Sequence, residues 1–324
     1  ALCCLYLFIS LPLPGRSLSL SLSLSLSLSL CTPAMEDVVA KFEDFQKRAD
    51  DIMTEFEHFG YHSKFEDVAQ LYAQAANSFK IFKSWDQAGS CFIKLAECHL
   101  KMDGKLDAAS AYVDAAYCYK KTSPIQAISC LEEAVNLFSG IGKSGMAARY
   151  CKEVGDLYER LHNLEDAIIY FERAAVFFHD EEAAPSVSQC KQKVAQFAAL
   201  LKQYSKAIEI FEEVARDAIK SNSLRYGVRG HLLNAGICHL CNGELSEVIV
   251  ALDRYQDLDS TFSRTREQSL LTDLAAAYEA EDIDKFTEAL MDYDSLSPLD
   301  SWKTILLLRV KEALKTKELL KNLI

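Results

Sequence analysis

Small apolar residues recur along this chain at a fixed interval. Ala69, Ala108 and Ala147 lie 39 residues apart, and Ala88, Ala127, Ala167 and Ala207 follow one another at 39, 40 and 40. The two series interleave, so a small residue marks a helix about every 20 positions. From each mark a larger or apolar side chain follows at +4 and a small or apolar one at +7, as in Ala88–Phe92–Leu95, Ala108–Tyr112–Ala115, Ala127–Leu131–Ala134 and Ala167–Phe171–Ala174. That spacing is one stripe of a 3.6-residue helix. Alanine at the point of closest approach lets two helices pack tightly, and the aromatic fills the gap beside it. One helix pair cannot bury such faces alone, so pairs must stack. The pattern predicts an all-α fold, a right-handed, tetratricopeptide-like α-solenoid of antiparallel helix pairs over residues 35–220. Its period exceeds the roughly 34 residues of a tetratricopeptide repeat, so each helix should be slightly longer than in that module.

Turn chemistry agrees with the period. "KKTSPIQAISC" offers Thr122 or Ser123 as an N-cap, with Pro124 in the first turn. "LHNLEDAII" places Asn163 ahead of a helix with acids in its first turn. The ruler fades near residue 220, where "SNSLRYGVRG" reads as a break. Beyond it, "HLLNAGICHLC", "EVIVALDRY", "QSLLTDLAAAYEAED", "DKFTEALMDYDSL" and "WKTILLLRVKEALKTKELL" predict a C-terminal helical bundle and tail over residues 221–324.

The first 34 residues stand apart. Ser17 to Leu30 is seven Ser-Leu dipeptides in a row, which alternates formally like a half-buried strand but is low complexity. A CT-dinucleotide repeat read as codons gives this alternation in every frame of that strand. The chain opens at Ala1, the first Met is Met35, and charged amphipathic sequence begins directly after it. Residues 1–34 are therefore expected to be a leader derived from untranslated sequence, contributing nothing to the fold. The rival, a signal peptide in "ALCCLYLFISLPLPG", lacks a basic region ahead of its apolar run.

Composition narrows the partners. The net charge of −12 argues against nucleic acid, although a local basic patch can survive inside it. Cys91, Cys98, Cys118, Cys130, Cys151, Cys190, Cys238 and Cys241 fall mostly at apolar helical positions, without a secreted disulfide framework, which points to the cytosol. "SGIGKSG" (Ser139 to Gly145) resembles the end of a phosphate loop, but Leu137 stands where its first glycine belongs and a helix, not a strand, precedes it. His231, Cys238 and Cys241 share a helix face, and one helix cannot surround a tetrahedral metal ion. No nucleophile elbow, HExxH or dinucleotide loop is present. The expectation is a protein that is not an enzyme and carries no cofactor or metal.

Four long segments carry a resemblance: "SWDQAGSCFIKLAECHLKMDGKLDAASAYVDAAYCYKK", "QKVAQFAALLKQYSKAIEIFEEVA", "GHLLNAGICHLC" and "DYDSLSPLDSWKTILLLRVKEAL". Over roughly residues 36–318 the chain closely resembles the α-SNAP family of soluble NSF attachment proteins, in a plant-like version. The resemblance implies an adaptor, cytoplasmic and peripherally associated with membranes, that coats an assembled SNARE four-helix bundle and recruits the hexameric ATPase NSF to pull it apart. Basic SNARE-contact positions of the family fall on Lys83, Lys120, Lys143, Arg149, Lys193 and Arg266, while one family lysine is Gln189 here. The NSF-facing acidic surface falls on Glu279, Glu281 and Asp282, with Leu323 as the family's penultimate apolar residue. Between Glu244 and Asp300 there are 15 Asp/Glu against 4 Lys/Arg. The family's membrane-touching loop falls on "EFEHFGYHSK", with Phe56, Phe59 and Tyr61. The family tail is acidic, whereas "KELLKNLI" has lost the acids. The alternative is a tetratricopeptide-type co-chaperone scaffold, whose carboxylate-clamping Lys/Asn set is missing from the repeat marks.

Overall fold

The structure, a computed structural model, describes residues 43–52, 62–221 and 224–321; the leader expectation for residues 1–34 lies outside them. Among the described residues every regular element is helical, and the fold is all-α with tetratricopeptide-like antiparallel helix pairs. The chain divides into two compact units, with the boundary in sequence between Asp103 and Gly104.

The first unit holds a helical run over 43–52 (α1), α2 (His62–Ile81) and α3 (Trp85–Lys101). Ala69 and Ala88, the first two ruler marks, are buried where α2 meets α3, with Phe79, Cys91 and Phe92 beside them. Asp50 ties α1 down by accepting hydrogen bonds from the Tyr72 hydroxyl on α2 and from the Lys94 ammonium, 2.6 Å away on α3.

The second unit continues the series through α4 (Lys105–Tyr119), α5 (Pro124–Gly140), α6 (Ser144–Arg160), α7 (Leu164–Asp180), α8 (Ala184–Leu200) and α9 (Tyr204–Lys220). Each helix packs against the next from α4 to α9. The marks Ala108, Ala127, Ala147, Ala167 and Ala207 are all fully buried, as close approach requires. Polar bonds that skip one helix sort the unit into two layers. Lys152 on α6 donates to Gln189 on α8, and Lys193 on α8 bonds Glu159 on α6. Tyr170 on α7 donates to Glu132 on α5, and Lys206 on α9 pairs with Glu172 on α7.

The turns share one device. Lys83, Gly142, His162, Glu182, Lys202 and Glu281 adopt left-handed backbone with φ between +54° and +72°. The N–H of the residue after each bonds a carbonyl five positions back, on Phe79, Phe138, Tyr158, Phe178, Ala198 and Ala277, at 2.8–3.0 Å. This is a Schellman closure, which satisfies carbonyls that a helix end leaves unpaired. "SGIGKSG" is one of these turns, between α5 and α6. After α4 the chain differs, because Pro124 starts the next helix and disfavours helical backbone at Ser123, which is extended. Ser123 occupies the N-cap but its hydroxyl makes no capping bond, whereas the Asn163 side chain does accept from the Asp166 N–H at 3.3 Å.

A short 3₁₀ turn over Arg225–Gly227 leads into α10 (Val228–Asn242), followed by α11 (Leu245–Leu258), α12 (Arg266–Glu279), α13 (Ile283–Leu296) and α14 (Ser301–Lys321). Helix α10 is surrounded by α9, α11, α12 and α14, which explains why apolar residues occur all round it. His231 and Cys238 are core residues there, and the Cys241 thiol faces the Leu306 carbonyl. Burial raises the thiol pKa of Cys91 to about 12 and that of Cys151 to about 11, so these thiols stay protonated and behave as small apolar groups. Helix α14 returns to the end of α8: the Trp302 indole N–H donates to the Gln196 carbonyl at 2.8 Å, and the Arg309 guanidinium donates to the carbonyls of Ala199 and Leu200.

Candidate binding surfaces

Helix α6 presents Arg149, Lys152, Glu153, Asp156 and Arg160 at intervals of three and four, hence on one face. Lys120, at the C-cap of α4, reaches this face and pairs with Glu153. Together with Leu157 these residues line a shallow recess of about 320 Å³. Four bases and two acids give it a net positive charge. Burial, then the neighbouring Arg160 and Lys121 charges, lower the Lys120 pKa, while burial raises that of Asp156. Both shifts mark a partly dried site in which charge interacts more strongly than in open water.

The expected basic residues are distributed unequally around this recess. Lys120 and Arg149 are brought together in it. Lys193 lies on the next helix of the same layer, bonded to Glu159 at 2.8 Å and 5.4 Å from the Phe197 ring centroid. Lys143 is exposed in the turn that opens α6, beyond the recess. Lys83 is exposed in the turn between α2 and α3, in the other unit. Arg266 is exposed on the bundle, where it donates to the Ser297 hydroxyl at 2.7 Å and the Tyr293 carbonyl at 3.0 Å, and stacks on the Tyr293 ring. It holds the end of α13. Lys152 and Arg160 escaped the sequence reading, although projecting "RYCKEVGDLYER" on a helix puts them on the Arg149 face. Gln189, the departure from the family pattern, accepts from the Lys152 ammonium at 3.3 Å, a place where a lysine would meet like charge.

The acidic candidates surround the turn from α12 to α13. Glu279 is exposed at the end of α12, and Glu281 is the left-handed turn residue. Asp282 is the N-cap of α13. It accepts from the Lys285 N–H at 2.9 Å, and that bond, with the Lys285 ammonium 3.3 Å away, holds its carboxyl below the ordinary aspartate value. Asp282 therefore has a capping role apart from any partner. Phe56, Phe59, Tyr61 and Leu323 lie outside the residues described.

Residues 37–315 match the family model described as "Soluble NSF attachment protein, SNAP". The chain belongs to the SNAP family. A SNAP relative from Vitis vinifera, an alpha-soluble NSF attachment protein, is 54% identical over 285 residues, covering 88% of this chain and 98% of the relative. The alpha-soluble NSF attachment protein of Homo sapiens is 39% identical over 80% of this chain and 88% of its own length. A probable vesicular-fusion protein sec17 homolog from Schizosaccharomyces pombe is 37% identical over 81% and 91%. Among solved structures, a signal-transduction ATPase with a tetratricopeptide repeat sensor from Pyrococcus horikoshii aligns with a TM-score of 0.45 and 16% identity, over 84% of this chain and 43% of that one. Among the described residues of this SNAP-family chain, no helix is long and apolar enough to cross a membrane, and no cluster of three His, Cys, Asp or Glu could hold a metal ion.

Proposed function

We propose that this SNAP-family chain is an adaptor, acting in the cytoplasm and peripherally at membranes, that binds assembled SNARE four-helix bundles and recruits NSF for their disassembly in vesicle fusion and intracellular transport. The observation that carries the reading is the basic recess formed by Lys120, Arg149, Lys152 and Arg160, set in a chain whose overall charge is −12. A basic face in an acidic protein grips an acidic rod from the side, with little demand on side-chain detail. The 15 acids between Glu244 and Asp300 supply a surface of opposite sign for a basic partner, here assigned to NSF. Lys83, Lys143, Lys193 and the exposed Arg266 are assigned to the proposed SNARE contacts as well. Phe56, Phe59 and Tyr61 are assigned to the membrane surface, and Leu323 to NSF.

The deciding experiment separates the two faces. Arg149→Glu with Lys152→Glu is expected to weaken capture of assembled SNARE bundles about tenfold or more, and wild-type binding is expected to weaken with salt. Glu279→Lys with Glu281→Lys is expected to spare SNARE binding and reduce NSF recruitment. Binding that ignores both salt and the α6 reversal overturns the assignment of the recess.

A further inference from the structure

The alanine ruler misses one beat. Between Ala167 and Ala207 the marked position is Val187, in α8. The neighbouring marks are fully buried, but Val187 is only half-buried and lines two adjoining recesses of about 630 and 430 Å³. Val187 is bulkier than the alanine that marks the neighbouring helices, and its side chain stays partly open to the recesses instead of closing into the core. The recesses share His179, Val187, Lys191 and Glu213, and so form one groove with α8 as its floor and the ends of α7 and α9 as its walls. Val176, Val194, Ile210 and Val214 make it apolar, and Val176 is 62% exposed. Around it stand Glu172, Asp180, Glu182, Glu213 and Asp217, and Lys191 is the one lysine or arginine among the described lining residues. Glu213 pairs with Lys191, Glu172 with Lys206 and Asp217 with Lys220, which leaves the rim acidic mainly through Asp180 and Glu182.

An acid-rimmed apolar groove selects a helix that is basic and apolar along one face. The far half of α14 is such a helix. Leu308, Lys311, Lys315 and Leu319 follow at intervals of three and four, with Leu308 53% and Leu319 64% exposed. From Ser301 to Ile324 the chain carries six Lys/Arg and two Asp/Glu. This helix cannot reach the groove of its own chain. It crosses the end of α8 at Arg309 and runs on past it, while Val187 lies 13 residues back from Leu200. At 1.5 Å per residue those 13 residues alone put about 20 Å between the groove and the crossing point.

We propose that the α7–α9 groove receives the far half of α14 from a second copy of this chain. The contact is head-to-tail, so each copy offers both a groove and a helix, and copies can line up in a row. One helix face in one groove buries less than a standard interface, so the association is weak and gains weight where copies are gathered side by side. The inference stands independently of the adaptor reading.

Sedimentation of the full chain over a wide concentration range tests it. The wild type is expected to show a concentration-dependent rise in mass that high salt suppresses. Asp180→Lys with Glu182→Lys reverses the groove, and Lys311→Glu with Lys315→Glu reverses the helix. Lysine is accommodated at the left-handed turn position, as Lys83 and Lys202 show. Each double variant alone is expected to associate at least about tenfold more weakly. Their equimolar mixture is expected to recover, because each supplies the surface matching the other, and this recovery excludes misfolding as the cause of loss. A wild type that stays monomeric, or variants that associate unchanged, overturns the proposal. So does a labelled basic amphipathic peptide of scrambled sequence that fills the groove as well as a peptide of residues 305–321, while the intact chain remains monomeric; the groove would then belong to another protein's helix.

Discussion

Gly236 on α10 faces Leu271 on α12 so closely that a methyl group at the glycine would meet the leucine Cδ1 at 2.4 Å. Leu271 is fully buried, so it has no free space into which to withdraw. Gly236→Ala is therefore expected to destabilise the chain by about 1–3 kcal/mol, the usual range for overpacking. Gly230, six residues earlier on the same helix, has nothing within 4 Å of the corresponding position. Gly230→Ala should stabilise by about 0.5–1 kcal/mol through helix propensity alone. Denaturant melts of the two variants check the opposite signs.

The left-handed turns invite the reverse substitution. His162 sits at φ +58° in an exposed turn, where an L side chain costs roughly 1–2 kcal/mol and glycine loses about 0.5–1 kcal/mol of chain entropy. His162→Gly is expected to gain on the order of 0.5–1 kcal/mol, read as a shifted denaturation midpoint at unchanged slope.

Glu212 should govern acid stability. It is buried between α9, α10 and α11, accepting from the Tyr255 hydroxyl and the Arg254 guanidinium at 3.0 Å, with the His239 imidazole 3.6 Å away. Burial pushes its pKa up, but His239, Tyr255 and the Arg254 charge outweigh it, and the net value is below that of an ordinary glutamate. A depressed carboxylate stabilises the fold above its unfolded pKa of about 4.3, and that contribution is lost as pH falls through the folded value. The thermal midpoint should drop as pH falls below about 4.3. Glu212→Gln should lower the midpoint at neutral pH and flatten this acid limb. Parallel profiles for the two proteins would reject the assignment.

The Lys120–Glu153 pair is expected to be coupled. Both side chains are largely shielded, with 23% and 34% exposure, so Lys120→Glu leaves two carboxylates facing each other. The single variant should cost about 1–2 kcal/mol, and adding Glu153→Lys should recover most of it. A double-mutant cycle by thermal melting measures the coupling. An additive cycle would mean that the pair contributes nothing to the fold.

The helices and their packing faces were legible because one small residue recurs at one interval, and close approach demands such a residue whatever surrounds it. The turn backbone was not. Lys83, His162, Glu182 and Lys202 occupy positions where glycine is the usual signal, so ordinary polar residues concealed left-handed closures. Lys120 and Arg149 could be named from resemblance, but the Lys120 partner, 33 residues away, depends on the registry of α4 against α6, which no local pattern encodes. Arg266 shows the converse. It is exposed in the structure too, yet the packing of α12 on α13 also gives it a carbonyl, a hydroxyl and a ring to hold, which no local pattern foretold.

The return of α14 to α8 sets a schedule for synthesis. Gln196, Ala199 and Leu200 are joined to Trp302 and Arg309 across 106 to 110 residues of chain. At about 5–20 residues per second, the ribosome makes the donors roughly 5–20 s after the acceptors. Until then the bonds from Trp302 and Arg309 to those carbonyls are unmade, leaving Ala199 with its turn partner, the Lys202 N–H, and the Phe211 ring lacks the edge-on neighbour that Trp302 later supplies. Helices α4 to α7 can fold as they emerge, each on the one before. The end of α8 waits for its long-range bonds until α14 has been made.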